Sequence, residues 1–290
     1  MDNSLRLLVG YDGSVAANAA IAAGASLIPR AHAHVTYLWA PPFGSESLRQ
    51  QLRLRTANVN EFIAALEREG EAEADQLTAT GTTLARAAGW TAEPIVRRSY
   101  SGEGLAFAQL AAELKPDLIL LGSRGLSGTK AMLGSVSDTV VHYAPTPVLV
   151  IAHPLLTAAR ATLAGGPIVI GWDGSTGARA ALDTTARLFP QRELLAATVG
   201  DSATVDGATV DSATVDGAGV DVVRLDSDRG SSSQAVADTL IAFARTRGAA
   251  VVVVGSRGRS VAKEIVLGGV ARTTLHHTHG AVMVVPQPAR

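Results

Sequence analysis

The phrase "LLVGYDGS" at residues 7–14 returns as "IVIGWDGS" at 168–175, and it does not return alone. Gly10 maps to Gly171, Pro29 to Pro190 and Leu38 to Val199, all at an offset of 161 residues. A constant offset leaves no room for an insertion through the first strand, first helix and second strand of the repeated unit. A second pair of phrases, "LGSRGLSGTKAMLGSVS" at 121–137 and "VGSRGRSVAKEIVLGGV" at 254–270, repeats at 133, with Gly134 mapping to Gly268 at 134. The chain is therefore two copies of one unit. The second copy is shorter by the difference between the offsets, 28 residues, lost between its second strand and its glycine loop. Such repeats constrain architecture more than local propensity does. At 290 residues, each copy can bury its own core. The expected layout is a first domain at 1–152, an Ala/Pro/Gly-rich linker at 153–166 and a second domain at 167–290.

Within a copy, strands and helices alternate. Residues 5–10 are an apolar run ending in a Gly/Asp/Ser turn, and Ala-rich 15–28 has helical composition. Strands are expected at 33–39, 91–99, 117–122 and 147–151, and helices at 56–88, 102–114 (with Ser101 as N-cap) and 135–144. Alternation with near-continuous apolar strands predicts α/β domains, each with a parallel sheet covered by helices on both faces. The second copy replaces the long helix with "DSATVDGATVDSATVDGAGVD" at 201–221. This five-residue period reads as low-complexity replacement of a helix rather than a calcium loop. The last strands, "TPVLVI" and "AVMVVP", are short apolar edges with unpaired backbone groups. They are expected to pair with each other as an intramolecular pseudo-dimer, with a homodimer left as a further association.

A net charge of −1 and a pI near 6.7 offer no bulk attraction to nucleic acid or an anionic membrane. The absence of cysteine rules out disulfides and thiolate chemistry. Runs such as "AAVVVVG" at 249–255 are too short to span a bilayer, and "MDNSLRLLVG" runs straight into a strand-like segment. The expected location is the cytoplasm.

The glycine loops carry the chemistry. A strand ending in Gly-Ser-Arg-Gly, then a loop, then glycine opening a helix, can turn successive N–H groups into one concavity. The helix start adds unpaired N–H donors and a dipole that favours anions. Each hydrogen bond to a phosphate oxygen contributes roughly 1.5–3 kcal/mol, so a handful supports micromolar binding. No Walker A pattern is present, and the loop follows the fourth strand rather than the first, unlike the dinucleotide fingerprint. In a doubly wound sheet the first and fourth strands flank the ligand crevice, so Asp12 should face the glycine loop.

V-G-x-D-G-S followed by G-x2-G-x9-G-[ST], present twice, resembles the universal stress protein family in its tandem two-domain form and ATP-binding branch. The resemblance covers all but the linker and 201–221. It implies two five-stranded parallel sheets in order 3-2-1-4-5, with ATP in each crevice. The acid at Asp12 could then accept from a ribose hydroxyl or adenine amine, or hold a Mg²⁺ that bridges the phosphates. Carried over by position, Gly10 and Asp12 line the first site and Leu38 flanks adenine. The phosphates lie against Gly122, Ser123, Arg124, Gly125, Gly134 and Ser135. The second site comprises Gly171, Asp173, Val199, Gly255, Ser256, Arg257, Gly258, Gly268 and Gly269. Both copies depart from the pattern: eight residues instead of nine separate Gly125 from Gly134, and Gly269 stands where a hydroxyl is expected. On that ground the first site should bind more tightly, and Gly269→Ser should strengthen the second.

Bland readings compete with these. "HHTHG" at 276–280 suits a helix C-terminus better than a metal. Asp12 and Asp173 could close turns, Ser135 could cap its helix with Asp138 as partner, and Trp39 and Trp172 could be packing residues. No catalytic residues and no metal ligands are assigned. The expectation is a nucleotide-dependent regulatory module with slow hydrolysis at most. The alternatives are a nucleotide-free association module of the same family and a weak ATP-hydrolysing enzyme.

Overall fold

The computed structural model describes residues 4–39, 50, 52–56, 58–99, 102–123, 133–200, 204–205, 208–209, 220–227, 230–257 and 267–287. The first copy runs β1 (Leu5–Gly10), α1 (Val15–Leu27), β2 (Ala31–Trp39), α2 (Val59–Ala87), β3 (Thr91–Arg98), α3 (Glu103–Leu114), β4 (Leu118–Gly122), α4 (Ser135–Tyr143) and β5 (Val148–Ile151). After α5 (Thr157–Thr162), the second copy runs β6 (Ile168–Gly171), α6 (Thr176–Leu188) and β7 (Leu194–Val199). A hairpin of β8 (Thr204–Val205) and β9 (Ala208–Thr209) follows. The copy then closes with β10 (Val222–Leu225), α7 (Ser233–Thr246), β11 (Val251–Gly255), α8 (Gly269–His277) and β12 (Ala281–Val285).

Ten strands form one sheet in the order β10-β7-β6-β11-β12-β5-β4-β1-β2-β3. Each half has the order 3-2-1-4-5 and is parallel throughout, as the alternation predicts. The halves meet where β5 and β12 pair antiparallel, Leu149 opposite Met283 and Val150 opposite Val282. Strand periodicity sends alternate residues to opposite faces. Leu7 and Val9 enter one core with α1 and α6 residues, and Leu8 enters the other with α3, α4 and α7 residues. Both cores contain side chains from both copies, so each crosses the β5–β12 junction.

Local signals explain the starts of α1 and α6. Ser14 Oγ accepts from Ala17 N–H and Ser175 Oγ from Ala178 N–H, which fixes both helices after identical Asp-Gly-Ser turns. The long charged helix appears as α2, with Asn58 accepting from Glu61 N–H at its start. The expected cap Ser101 lies outside the described residues, and Gly102 occupies the N-cap of α3. Most of 201–221 also lies outside them. Within the segment read as a linker, α5 is docked on the second copy. Arg192 donates to the carbonyls of Leu163 and Gly166, and Thr162 Oγ1 donates to Ala249 O.

Candidate functional site

The sheet pairing places β1 beside β4, and likewise β6 beside β11, with their C-terminal ends at the crevice. The turn after each first strand is built the same way. Asp12 Oδ1 accepts from Ser14 N–H, and Asp173 Oδ1 from Ser175 N–H, both at 3.0 Å, with Gly13 and Gly174 at positive φ. The turn-closing reading of both aspartates is therefore correct for one oxygen of each.

The glycines that end β4 and β11 have a different reason from the expected one. A Cβ on Gly122 would lie 2.8 Å from the carbonyl oxygen of Ala16, and one on Gly255 2.7 Å from backbone atoms of Gly177. These strand ends are pressed against the first turn of α1 or α6, so protein backbone by itself already requires glycine at both positions. A bulky substitution at Gly122 therefore disrupts the packing of β4 against α1. Ser123 and Ser256 are also structural. Each carbonyl accepts from the glycine that opens the last helix (Gly134 N–H and Gly268 N–H, 2.8 Å), closing the base of the loop. Each hydroxyl accepts a backbone N–H, from His153 and Gln287 respectively. The two loops thus share one base although their lengths differ. Arg124, Gly125 and Gly258 lie outside the described residues.

Gly134 and Gly268 are the N-caps of α4 and α8, and neither helix has a side-chain cap among the described residues. Ser135 is already inside its helix, so the Ser135–Asp138 capping reading is wrong. Gly134 has the extended cap conformation, and this moves the helix start one residue earlier. The N-terminus of α8, whose first N–H groups have no intrahelical partner, lies in the wall of a cavity of about 240 Å³ in the second copy. Its wall includes Gly171, Asp173, Val199, Gly255, Arg257, Gly268 and Gly269, so all but two of the expected second-site residues converge. Ser256 is not in the wall, and Gly258 is undescribed.

The cavity wall also contains residues that the motifs did not single out. Ser175 and Ser233 bring the starts of α6 and α7 to the same space, so three helix N-termini converge on it. The Asp-Gly-Ser repeat could have flagged Ser175. Ser233 carries no comparable signal, because it arrives through an additional first turn of α7. A Cβ on Gly269 would lie 2.5 Å from Ser233 Oγ and 2.9 Å from its Cβ. The hydroxyl missing at 269 is therefore replaced by one from the neighbouring helix. Trp172 is buried as expected of a packing residue, but it also walls the cavity, and its indole N–H has no partner among the described residues.

The first crevice differs in charge. Phe107 and Leu240 occupy matching places at offset 133, which aligns Glu103 of α3 with Val236 of α7, a cavity residue. Burial raises the pKa of half-buried Glu103, and the neighbouring charge of Asp12 raises it further. Burial likewise raises Tyr37, with Glu103, Glu73 and Asp12 adding to the shift. Acidic groups are thus concentrated where the second copy has a valine. Leu38 is buried among the apolar residues of its face. A Cβ on Gly10 would meet Leu121 and Phe107.

At the chain's other candidate cluster, His276 and His277 occupy the last turn of α8, and His277 Nδ1 contacts Asp238 Oδ1 at 2.8 Å, in keeping with a helix-end role. No described helix is long and apolar enough to cross a membrane.

Among solved structures, the chain resembles a universal stress protein from Archaeoglobus fulgidus, at 17% identity and a TM-score of 0.65, covering 99% of this chain and 100% of that one. It also resembles a functionally unknown protein from Pseudomonas aeruginosa, at 15% identity and a TM-score of 0.54, over 98% and 93% of the two chains. No curated protein matches it. The sequence model of the universal stress protein family matches twice in tandem, over residues 4–152 and 166–286. With the sheet order repeated in both halves, the chain belongs to the universal stress protein family.

Proposed function

We propose that the protein is a nucleotide-dependent regulatory module whose second copy binds ATP. The observation that carries this reading is the cavity where three helix N-termini meet one carboxylate. Unpaired N–H groups and aligned dipoles favour a polyanion there. Gly268, Gly269, Ser233 and Arg257 are positioned for phosphates, Val199 and Val236 for an apolar base, and Asp173 for a ribose hydroxyl. At about 240 Å³ the cavity lies just under the roughly 300–1,000 Å³ of typical ligand sites, a fit for a nucleoside with its phosphates at the mouth. Mg²⁺, held mainly by phosphate oxygens and water, would need few protein ligands. Asp173 is the one acid in the described wall and is engaged by its own turn, which supports binding with slow hydrolysis at most.

The expected ranking of the two sites reverses in this reading. Ser233 supplies the hydroxyl absent at 269, whereas Glu103 sets a carboxylate in the first crevice near Asp12. Glu103 favours the association-only alternative for the first copy. The β5–β12 pairing supports an internal pseudo-dimer, and a homodimer would have to use other surfaces.

Calorimetric titration of the full chain with MgATP tests the assignment. Binding should be present in the natural chain, abolished by Val236→Glu and strengthened at the first crevice by Glu103→Val. Binding unchanged in Val236→Glu, or no binding in the natural chain, overturns it.

A further inference from the structure

β2 begins Ala-His-Ala-His, and alternation buries Ala31 and Ala33 in one core while His32 and His34 share the opposite face. Across the β2–β3 ladder, His32 pairs with Thr91 and His34 with Glu93. The potential ligand atoms of His32, His34 and Glu93 all lie within 4.8 Å of one another. The two imidazoles meet edge to face with centroids 4.9 Å apart. This cluster lies toward the N-terminal ends of the strands, away from the crevice, which Leu38 and Trp39 approach at the other end of β2.

We propose that His32, His34 and Glu93 form a site for a divalent first-row transition metal, zinc above all, that clips β2 to β3. Two imidazoles and one carboxylate match zinc's ligand preferences, with water completing the coordination. Zinc bonds of about 2.0–2.2 Å in a tetrahedron require ligand atoms roughly 3.4 Å apart. The remaining approach is a side-chain adjustment, for which exposed Glu93 has room.

The hydrogen bonds around His32 prepare it for this role. Thr91 Oγ1 donates its single hydrogen to Ala31 O at 3.2 Å, so it acts as acceptor in its 3.1 Å contact with His32 Nδ1. Nδ1 therefore carries the proton, and the Nε2 lone pair remains for a metal. An oxygen behind the distal ring nitrogen is the arrangement that orients metal-binding histidines. Arg6, a cation whose charge bears on His34, is engaged elsewhere: its Nη2 donates to Lys115 O at 2.8 Å, and its Nε lies 3.6 Å from Asp117. The corresponding positions of the second copy are Glu193, Leu195 and Asp221, without a histidine, so the site belongs to the first copy alone.

The test is zinc titration of the chelator-treated full chain, read by calorimetry and thermal unfolding. The natural chain should bind one zinc ion and melt at a higher temperature with it. Glu93→Gln, an isosteric change at an exposed position, and His34→Gln should each weaken binding at least tenfold and abolish the thermal shift. Replacing His276, His277 and His279 together by Gln should leave both readouts intact. Zinc binding that survives Glu93→Gln and His34→Gln, or that disappears with the three distal histidines, overturns the proposal. The site is independent of nucleotide, so its failure would not bear on the crevice.

Discussion

Asp173 has two jobs that a substitution can separate. Its Oδ1 closes the turn onto Ser175 N–H, and its charge faces the cavity. Asparagine preserves the acceptor and removes the charge. Asp173→Asn should therefore change unfolding free energy by no more than about 0.5 kcal/mol. It should weaken MgATP binding by roughly 1.5–3 kcal/mol, about ten- to a hundredfold. Denaturant titration and calorimetry on the same variant check both halves. Gly269 leads to a different expectation. Because Ser233 already fills the space that a side chain at 269 would need, Gly269→Ser overpacks the α7–α8 contact. A loss of about 1–3 kcal/mol is expected, with weaker rather than stronger nucleotide binding. Adding Ser233→Gly should restore part of that stability, and a double-mutant cycle measures the coupling.

At the scale of elements, α3 and α7 are matching helices with opposite electrostatic consequences. Glu103 at the start of α3 is desolvated and sits near Asp12, so its folded pKa exceeds its unfolded value. The folded state then binds the proton more tightly, and ionised Glu103 opposes folding. Stability from this group falls as pH rises from the ordinary glutamate range through the raised folded value. Glu103→Gln should accordingly be more stable than the natural chain at neutral pH. That advantage should shrink as pH falls through the raised value and vanish below the ordinary one. Chemical denaturation across this range measures it; an advantage independent of pH would mean that packing, not charge, separates the two. The start of α7 adds what α3 lacks, a turn that brings Ser233 to the last helix.

For the whole molecule, the β5–β12 pair decides whether two copies behave as one body. Met283 is fully buried at the centre of that ladder, opposite Leu149. Met283→Lys places a charge in one of the two cores that cross the junction, so a loss of at least about 3 kcal/mol is expected. A single unfolding transition should split into two as the halves uncouple, visible by denaturation with separate probes. Arg187 offers a contrast. It reaches Asp117 of the other copy at 3.6 Å with more than half its side chain exposed. Such a pair contributes only about 0–1 kcal/mol, so Arg187→Ala should leave the cooperativity intact.

Sequence alone determined the repeat, the strand-helix alternation and the Asp-Gly-Ser turns that carry Asp12 and Asp173. These are legible because side-chain periodicity and turn chemistry are local, and because a constant offset can be counted. Tertiary structure decided what each position is for. Gly122 and Gly255 are glycine because a helix turn presses on them, a contact between residues about 80–110 positions apart. Ser233 supplies the hydroxyl that the motif at 269 lacks, and Glu103 places a carboxylate where the second copy has Val236, though neither belongs to a recognised pattern. His32, His34 and Glu93 become neighbours only through the register of two strands separated by a 29-residue helix. Contacts across a sheet or between helix ends are made by residues distant in sequence, and composition and spacing do not encode which of them will meet.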